Sequence, residues 1–191
     1  MCMEIVEKVH KKRKDEKKEY TISEMKGLAE EFLKSVEYSG EGAVPVVEIA
    51  KKCGFKVVTG SMKDPKMSGF ISVRKKNETE INEDKIIGVN GDDEVGHQRF
   101  VIIHELAHYM FDYDMTDKPY IDKYRKNSHK TLKEQMANAF AANVLMPTER
   151  FVLEFDENKS MENNISHWAS YFGVQEKAAR KRVSEVMLNG I

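Results

Sequence analysis

The chain has 191 residues, 33% of them charged and 40% apolar, with a net charge of −1; this suits one globular domain with a short appendage. The balance of charge gives no global case for nucleic acid or an anionic membrane, and no apolar run approaches the ~18 residues of a bilayer span. The two cysteines, Cys2 and Cys53, form neither a metal spacing nor a disulfide framework, which suits a reducing compartment.

Residues 1–20 carry seven Lys and Arg against five acids, with Ile5, Val6 and Val9 among few apolar positions. They read as a solvated helix or a loose arm. They lack the apolar core of a signal peptide, so the cytoplasm is the expected compartment. From Thr21 the pattern turns helical. Met25, Leu28, Ala29, Phe32, Leu33 and Val36 fall on one stripe, and Thr21 with Glu24 supplies a capping box. "VVEIAKKCGF" predicts a short second helix that stops at Gly54, and "KVVTG" a strand.

"SGFISV" and "KIIGVN" are strand-like and suggest a small, mostly antiparallel sheet. "SGFISV" is the candidate edge strand, along which an extended peptide would pair, with a plain core strand as the alternative. The polar turn "GDDEVGHQ" leads into a helix whose Phe100, Ile103, Ala107, Met110 and Phe111 repeat at three and four. "DYDMTDKPYIDKYRKNSHK" reads as a long loop. "TLKEQMANAFAANVLM" is the second strong helix, ended by Pro147. The tail breaks at Gly173 into two helices. Their stripes are Ile165, Trp168, Ala169, Phe172 and then Ala179, Val183, Val186, Met187, and the joint has the look of a helix-turn-helix.

The chemistry lies in "HELAH", residues 104–108. Histidines four apart on a helix project side by side and offer two nitrogen donors without bending the chain. Glu105 lies ~100° round the helix from His104. From there it can reach a water on the metal without binding the metal. A carboxylate so placed takes the water's proton during attack on a carbonyl, then hands it to the leaving amine. That is the physical content of the HExxH spacing, and it predicts a metal site at His104 and His108 with Glu105 as base.

A catalytic zinc site needs a third protein ligand and an open fourth position. Glu134 is best placed, on the second strong helix, with Asn138 one turn beyond it as a supporting hydrogen-bond group. Asp114 would need a sharp turn, usually given by glycine, where Phe111 stands. Nothing in the sequence fixes the direction of Asp117, Asp122 or His129. Tyr109, Tyr113, Tyr120, Tyr124 and His129 are the candidates to polarise the substrate carbonyl.

"QRFVIIHELAHYMF" followed by "KEQMANAFAANVLMP" resembles the ImmA/IrrE-type metallopeptidases. The matching residues are Arg99-Phe100, His104, Glu105, His108, Glu134, Ala137-Asn138, Phe140-Ala141-Ala142 and Leu145-Met146-Pro147. Ile103 and Ala107 replace smaller residues, Met136 stands where a second acid is common, and Phe111-Asp112 replaces a Leu-His pair. The resemblance implies an α+β, gluzincin-like core, with a small, mostly antiparallel sheet packed on helices and a helical C-terminal tail. It implies Zn2+ on His104, His108 and Glu134, although the same donors admit manganese or iron. It also implies cleavage of a helix-turn-helix repressor as protein substrate. The expected organisation is a charged arm or helix at 1–20, a metallopeptidase domain at 21–155 and a helical pair at 156–191. Lys177, Arg180, Lys181 and Arg182 raise the alternative of DNA binding by the last helix, or of a metal-binding regulator that sequesters a repressor without cutting it.

Overall fold

Helix α1 (Cys2–Asp15) turns its few apolar side chains inward: Ile5, Val6 and Val9 are all buried, and His10 with them. The charged segment is therefore a docked helix rather than a loose arm. The computed structural model describes residues 2–75, 83–113, 119–125 and 131–188. A single helical turn (Ile22–Glu24) precedes α2 (Met25–Ser35), and Thr21 and Glu24 form the expected reciprocal cap, the Thr21 amide donating to Glu24 Oε2 at 2.9 Å. Of the predicted stripe, Met25, Ala29, Phe32, Leu33 and Val36 are buried. Helix α3 (Val46–Lys52) closes at Gly54, whose φ of +84° lies where only glycine sits without strain. Cys53 beside it is buried and disulfide-bonded, against the expectation drawn from cysteine spacing.

The sheet holds β1 (Lys56–Gly60), β2 (Met67–Lys75), β3 (Glu83–Asn90) and β4 (Tyr120–Arg125) in the order β1-β3-β2-β4. The β2–β3 and β2–β4 pairs are antiparallel and β1–β3 is parallel. "SGFISV" therefore lies in an interior strand, not at the edge. Its Ile71 and Val73 are buried and both its backbone edges are paired. The edges are β1 and β4, and β4 lies inside the stretch that reads as loop. Its sequence, YIDKYR, carries Asp122, Lys123 and Arg125, as exposed edge strands do, and those charges break the apolar alternation.

Helix α4 (Val95–Phe111) carries HELAH through the centre of the molecule. Every residue from Val101 to Phe111 is buried, so the helix has no solvated face over that length. The sheet covers one side. There Gly69 of β2 permits the close approach, since a Cβ at that position would stand 2.3 Å from Val101 Cγ1. Helix α5 (Leu132–Leu145) covers another side, with the Phe111 and Phe140 rings edge-to-face at 5.3 Å. Helix α1 covers a third, His10 Nε2 lying 2.8 Å from the Tyr109 carbonyl. Each large apolar side chain so buried contributes about 1.5–3 kcal/mol.

Pro147 ends α5 and stands at the cap of α6 (Thr148–Leu153); α7 (Met161–Phe172) and α8 (Glu176–Leu188) follow. Gly173, at φ +62°, makes the turn between the last two. That turn is seated on the start of α4. Arg99 donates to the carbonyls of Gly173 (2.9 Å), Val44 (2.8 Å) and Phe172 (3.4 Å). It thereby satisfies carbonyls at the end of α7 that have no helical partner. A Cβ on Gly96 would meet Gln175 N at 2.9 Å, so glycine is required for this contact. Arg182 of α8 is 5% exposed and donates to Met146 O, Asn143 Oδ1 and Thr148 Oγ1. The side chain of Met187, placed by periodicity on the α8 stripe, lies outside the described residues.

Candidate metal centre

Two helices bring the site together. His104 and His108 stand one turn apart on α4, with their Nε2 atoms 3.0 Å from each other. Glu134 lies in the first turn of α5, where Thr131 caps the helix by accepting the Glu134 amide at 3.2 Å. That cap fixes the position of the helix start and so the point from which the carboxylate projects. Glu134 Oε1 is 3.3 Å from His108 Nε2, and Oε2 is 3.5 Å from His104 Nε2. His104, His108 and Glu134 form a set whose donor atoms all lie within 4.8 Å of one another, and among the described residues it is the only group of three or more of this kind.

The other expected ligands divide simply. Asp114, Asp117 and His129 lie outside the described residues. Asp122 sits on β4 with its Oδ2 3.7 Å from His108 Nδ1, on the far side of the ring from the converging Nε2 atoms. It does not face the donor set. Asn138, expected as a supporting group, lines a cavity together with Phe100 and Tyr124.

The electrostatics follow from burial and proximity. Burial pushes the His104 imidazole towards its neutral form, and the Glu134 hydrogen bond opposes this without reversing it. Burial would lower His108 as well, but hydrogen bonds to Asp112 and Glu134 outweigh it and raise its pKa to about 10. Glu134 is pushed up by burial and more strongly down by the two imidazoles, and the net result is well below the usual carboxylate range. Glu105 is fully buried, and burial raises its pKa well above the ordinary value.

A divalent ion fits this arrangement by its donor chemistry. Two imidazole nitrogens and a carboxylate oxygen are a zinc-type set that leaves a position open. Both Glu105 oxygens are buried, with the Tyr124 backbone amide favouring the charged form against the larger effect of burial, and His104 Nδ1 is buried with no hydrogen-bond partner among the described residues. A carboxylate buried with so little support costs free energy unless something at the site uses it.

A cavity of about 1080 Å³ is lined in part by Phe100, Tyr124, Asn138 and residues of α8; the donors themselves are not in its lining, and Tyr124 and Phe100 stand between them and it. The Tyr124 ring lies 4.4 Å from the His104 ring and Phe100 5.8 Å from it. Phe100 is half-buried, packed against the core and at the same time part of this wall. Among the tyrosines, Tyr109 Oη accepts from Lys85 at 2.7 Å, on another side of the helix. Tyr113 packs on Tyr109 and His10, and Tyr120 donates to Asp122 at 3.3 Å. His129 lies outside the described residues. The sequence treats these candidates alike; Tyr120 and Tyr124 share β4, and it is the contact with the His104 ring and the place on the cavity wall that single out Tyr124.

An α+β core with a histidine pair on its central helix and a glutamate from the next one defines a metallopeptidase-type centre. The chain belongs to the peptidase family described as the IrrE N-terminal-like domain, which it matches over residues 50–184. A search of curated proteins found no match. The matched stretch includes β1 to β4, both site helices and most of the C-terminal pair. Among the described residues, no helix is long and apolar enough to cross a membrane.

Proposed function

We propose that this metallopeptidase is a zinc-dependent endopeptidase that cleaves a helix-turn-helix transcriptional repressor in the cytoplasm. The observation that carries the reading is the convergence of His104, His108 and Glu134 on two helices, with the fully buried carboxylate of Glu105 beside His104 on the same helix. Zinc held by those three residues supplies a Lewis acid that polarises a carbonyl and acidifies water. Glu105 accepts a proton from the water as its oxygen bonds to the scissile carbonyl carbon. It then gives that proton to the amine nitrogen as the C–N bond breaks, so one water is consumed and one acid and one amine are formed. Burial keeps the proton affinity of Glu105 high, which suits a group that must both take and return a proton. Tyr124, against His104 and on the cavity wall, is the residue we assign to the developing oxyanion.

The peptide lies along the outer edge of β4, which pairs with β2 on its inner side and is terminal in the sheet order. An extended chain added there meets the site through Tyr124. The repressor as substrate rests on the resemblance of the two motifs. The DNA-binding alternative draws less support, because Arg182 is turned inward and Arg180 is paired with Glu162 at 2.7 Å.

The test is to incubate zinc-loaded protein with helix-turn-helix repressors from the same source, starting with any encoded next to it, and to read the products by intact mass. Two fragments whose masses sum to the repressor plus one water are expected. A repressor that stays intact while bound to the zinc-loaded protein would overturn proteolysis in favour of sequestration.

A further inference from the structure

The two imidazoles of the site are supported unequally. His104 Nδ1 is buried with no hydrogen-bond partner among the described residues. His108 Nδ1 lies 2.6 Å from Asp112 Oδ2, one turn further along α4. An ionised carboxylate only accepts, so the proton of that bond sits on Nδ1. The ring is then fixed in the form whose Nε2 points to Glu134 and His104.

Asp112 is itself held from two directions. Lys133, in the first turn of α5, has its Nζ 3.3 Å from Asp112 Oδ1. Lys133 is largely exposed, so this pair contributes little by itself. The firmer hold comes from α1. Arg13 Nη1 donates to the Tyr113 carbonyl at 2.8 Å, and Nη2 to the Asp112 carbonyl at 3.4 Å. These are carbonyls at the C-terminal end of α4, where helical partners run out and a cation is favoured. Helix α1 thus grips the segment that carries Asp112.

We infer that Asp112 is a positioning residue for the metal centre: it fixes the ring orientation and tautomer of His108, and α1 holds Asp112 in place through Arg13. The inference rests on the reading that His104, His108 and Glu134 hold a divalent ion. Carboxylates behind metal-ligating histidines act in this way in general, and their loss weakens metal binding by roughly 10–100-fold. What the structure adds is the residue that does so here, where a histidine stands in the resembling pattern, and its link to a helix outside the matched stretch 50–184.

The experiment measures zinc affinity by competition with a chromophoric chelator for wild type, Asp112→Ala, Asp112→Asn, Arg13→Ala and the Asp112→Ala/Arg13→Ala double variant. Asp112→Ala is expected to bind zinc about 10–100-fold more weakly. Asp112→Asn, which keeps an acceptor oxygen, should fall between, and it carries the test if the alanine variant does not fold. Because Arg13 acts through Asp112, the double variant should bind no more weakly than Asp112→Ala alone. A second readout is ¹⁵N NMR of the zinc-loaded protein, in which the His108 Nδ1 proton signal should shift or vanish on Asp112→Ala. Affinity within twofold of wild type for both Asp112 variants, with the His108 signal unmoved, overturns the inference and leaves the metallopeptidase reading intact. Wild-type protein that binds no zinc overturns that reading, and this inference with it.

Discussion

Replacing Glu105 by glutamine separates binding from chemistry. The amide has almost the same shape as the carboxyl, but it cannot accept a proton from water. Glu105 is not among the three converging donors, and its side chain leaves α4 ~100° from His104. Zinc affinity should therefore stay within about threefold of wild type, well below the 10–100-fold loss that follows when a group supporting a ligand is removed. Loss of a positioned general base typically costs roughly 10²–10⁴ in rate, or about 3–5 kcal/mol of barrier. Stability should move the other way. In the metal-free protein the Glu105 pKa is raised by burial, so the unfolded chain gives up its proton near the ordinary 4.5 while the folded chain keeps it. Stability then falls as pH rises above 4.5, and the glutamine variant loses that decline. The assay combines chelator competition, thermal melting of metal-free protein at pH 5 and pH 8, and repressor cleavage followed by intact mass. A variant that binds zinc and still cleaves within tenfold of the wild-type rate would refute Glu105 as the base.

Three further outcomes are expected. Tyr124→Phe should lower kcat by about 10²–10³-fold, the usual cost of one oxyanion donor, and leave zinc affinity unchanged; a drop in affinity with unaltered turnover would place Tyr124 in the support of His104 instead. Gly69→Ala should destabilise the protein by about 1–3 kcal/mol in urea unfolding. Its Cβ would meet Gly88 O at 2.7 Å as well as Val101, and a backbone oxygen between paired strands has no room to give; an unchanged midpoint would show that α4 does not rest on β2 as described. The metal-free protein should lose stability at both ends of the pH range. His108 has its pKa raised to about 10, so its contribution is complete below about 6.5 and is lost as pH rises through 10. Glu134 and Asp112 have lowered values, so theirs is present above 4.5 and 3.8 respectively and is lost as pH falls. Melting temperatures in EDTA that do not change between pH 6.5 and 10 would contradict the His108 environment.

The local code of this chain was plain in its sequence. The spacing of His104 and His108, the 3.6-residue period of α2, the Thr21/Glu24 cap, Gly54, Pro147 and Gly173 each fix a helix or its end through contacts within a few residues. That information survives in a linear string because both partners of each interaction are near neighbours in it. Glu134 was legible for a different reason: it sits at a set place in a second motif whose order and spacing follow the first.

What only the tertiary structure decided were the long-range pairings. Sequence alternation shows that a segment is a strand but not which strands flank it, so "SGFISV" lies inside the sheet and β4 at an edge, where Tyr124 packs against the His104 ring. Charge on α1 concealed that Val6 and Val9 are buried and that His10 reaches the Tyr109 carbonyl of the central helix, because a few apolar residues suffice when the partner surface is already apolar. The arginines of α8 look alike in the sequence, yet Arg182 is buried on three acceptors and Arg180 pairs with an acid on α7. A side chain's chemistry is written in its own letter, but its environment is made by residues dozens of positions away, and only the fold brings them within reach.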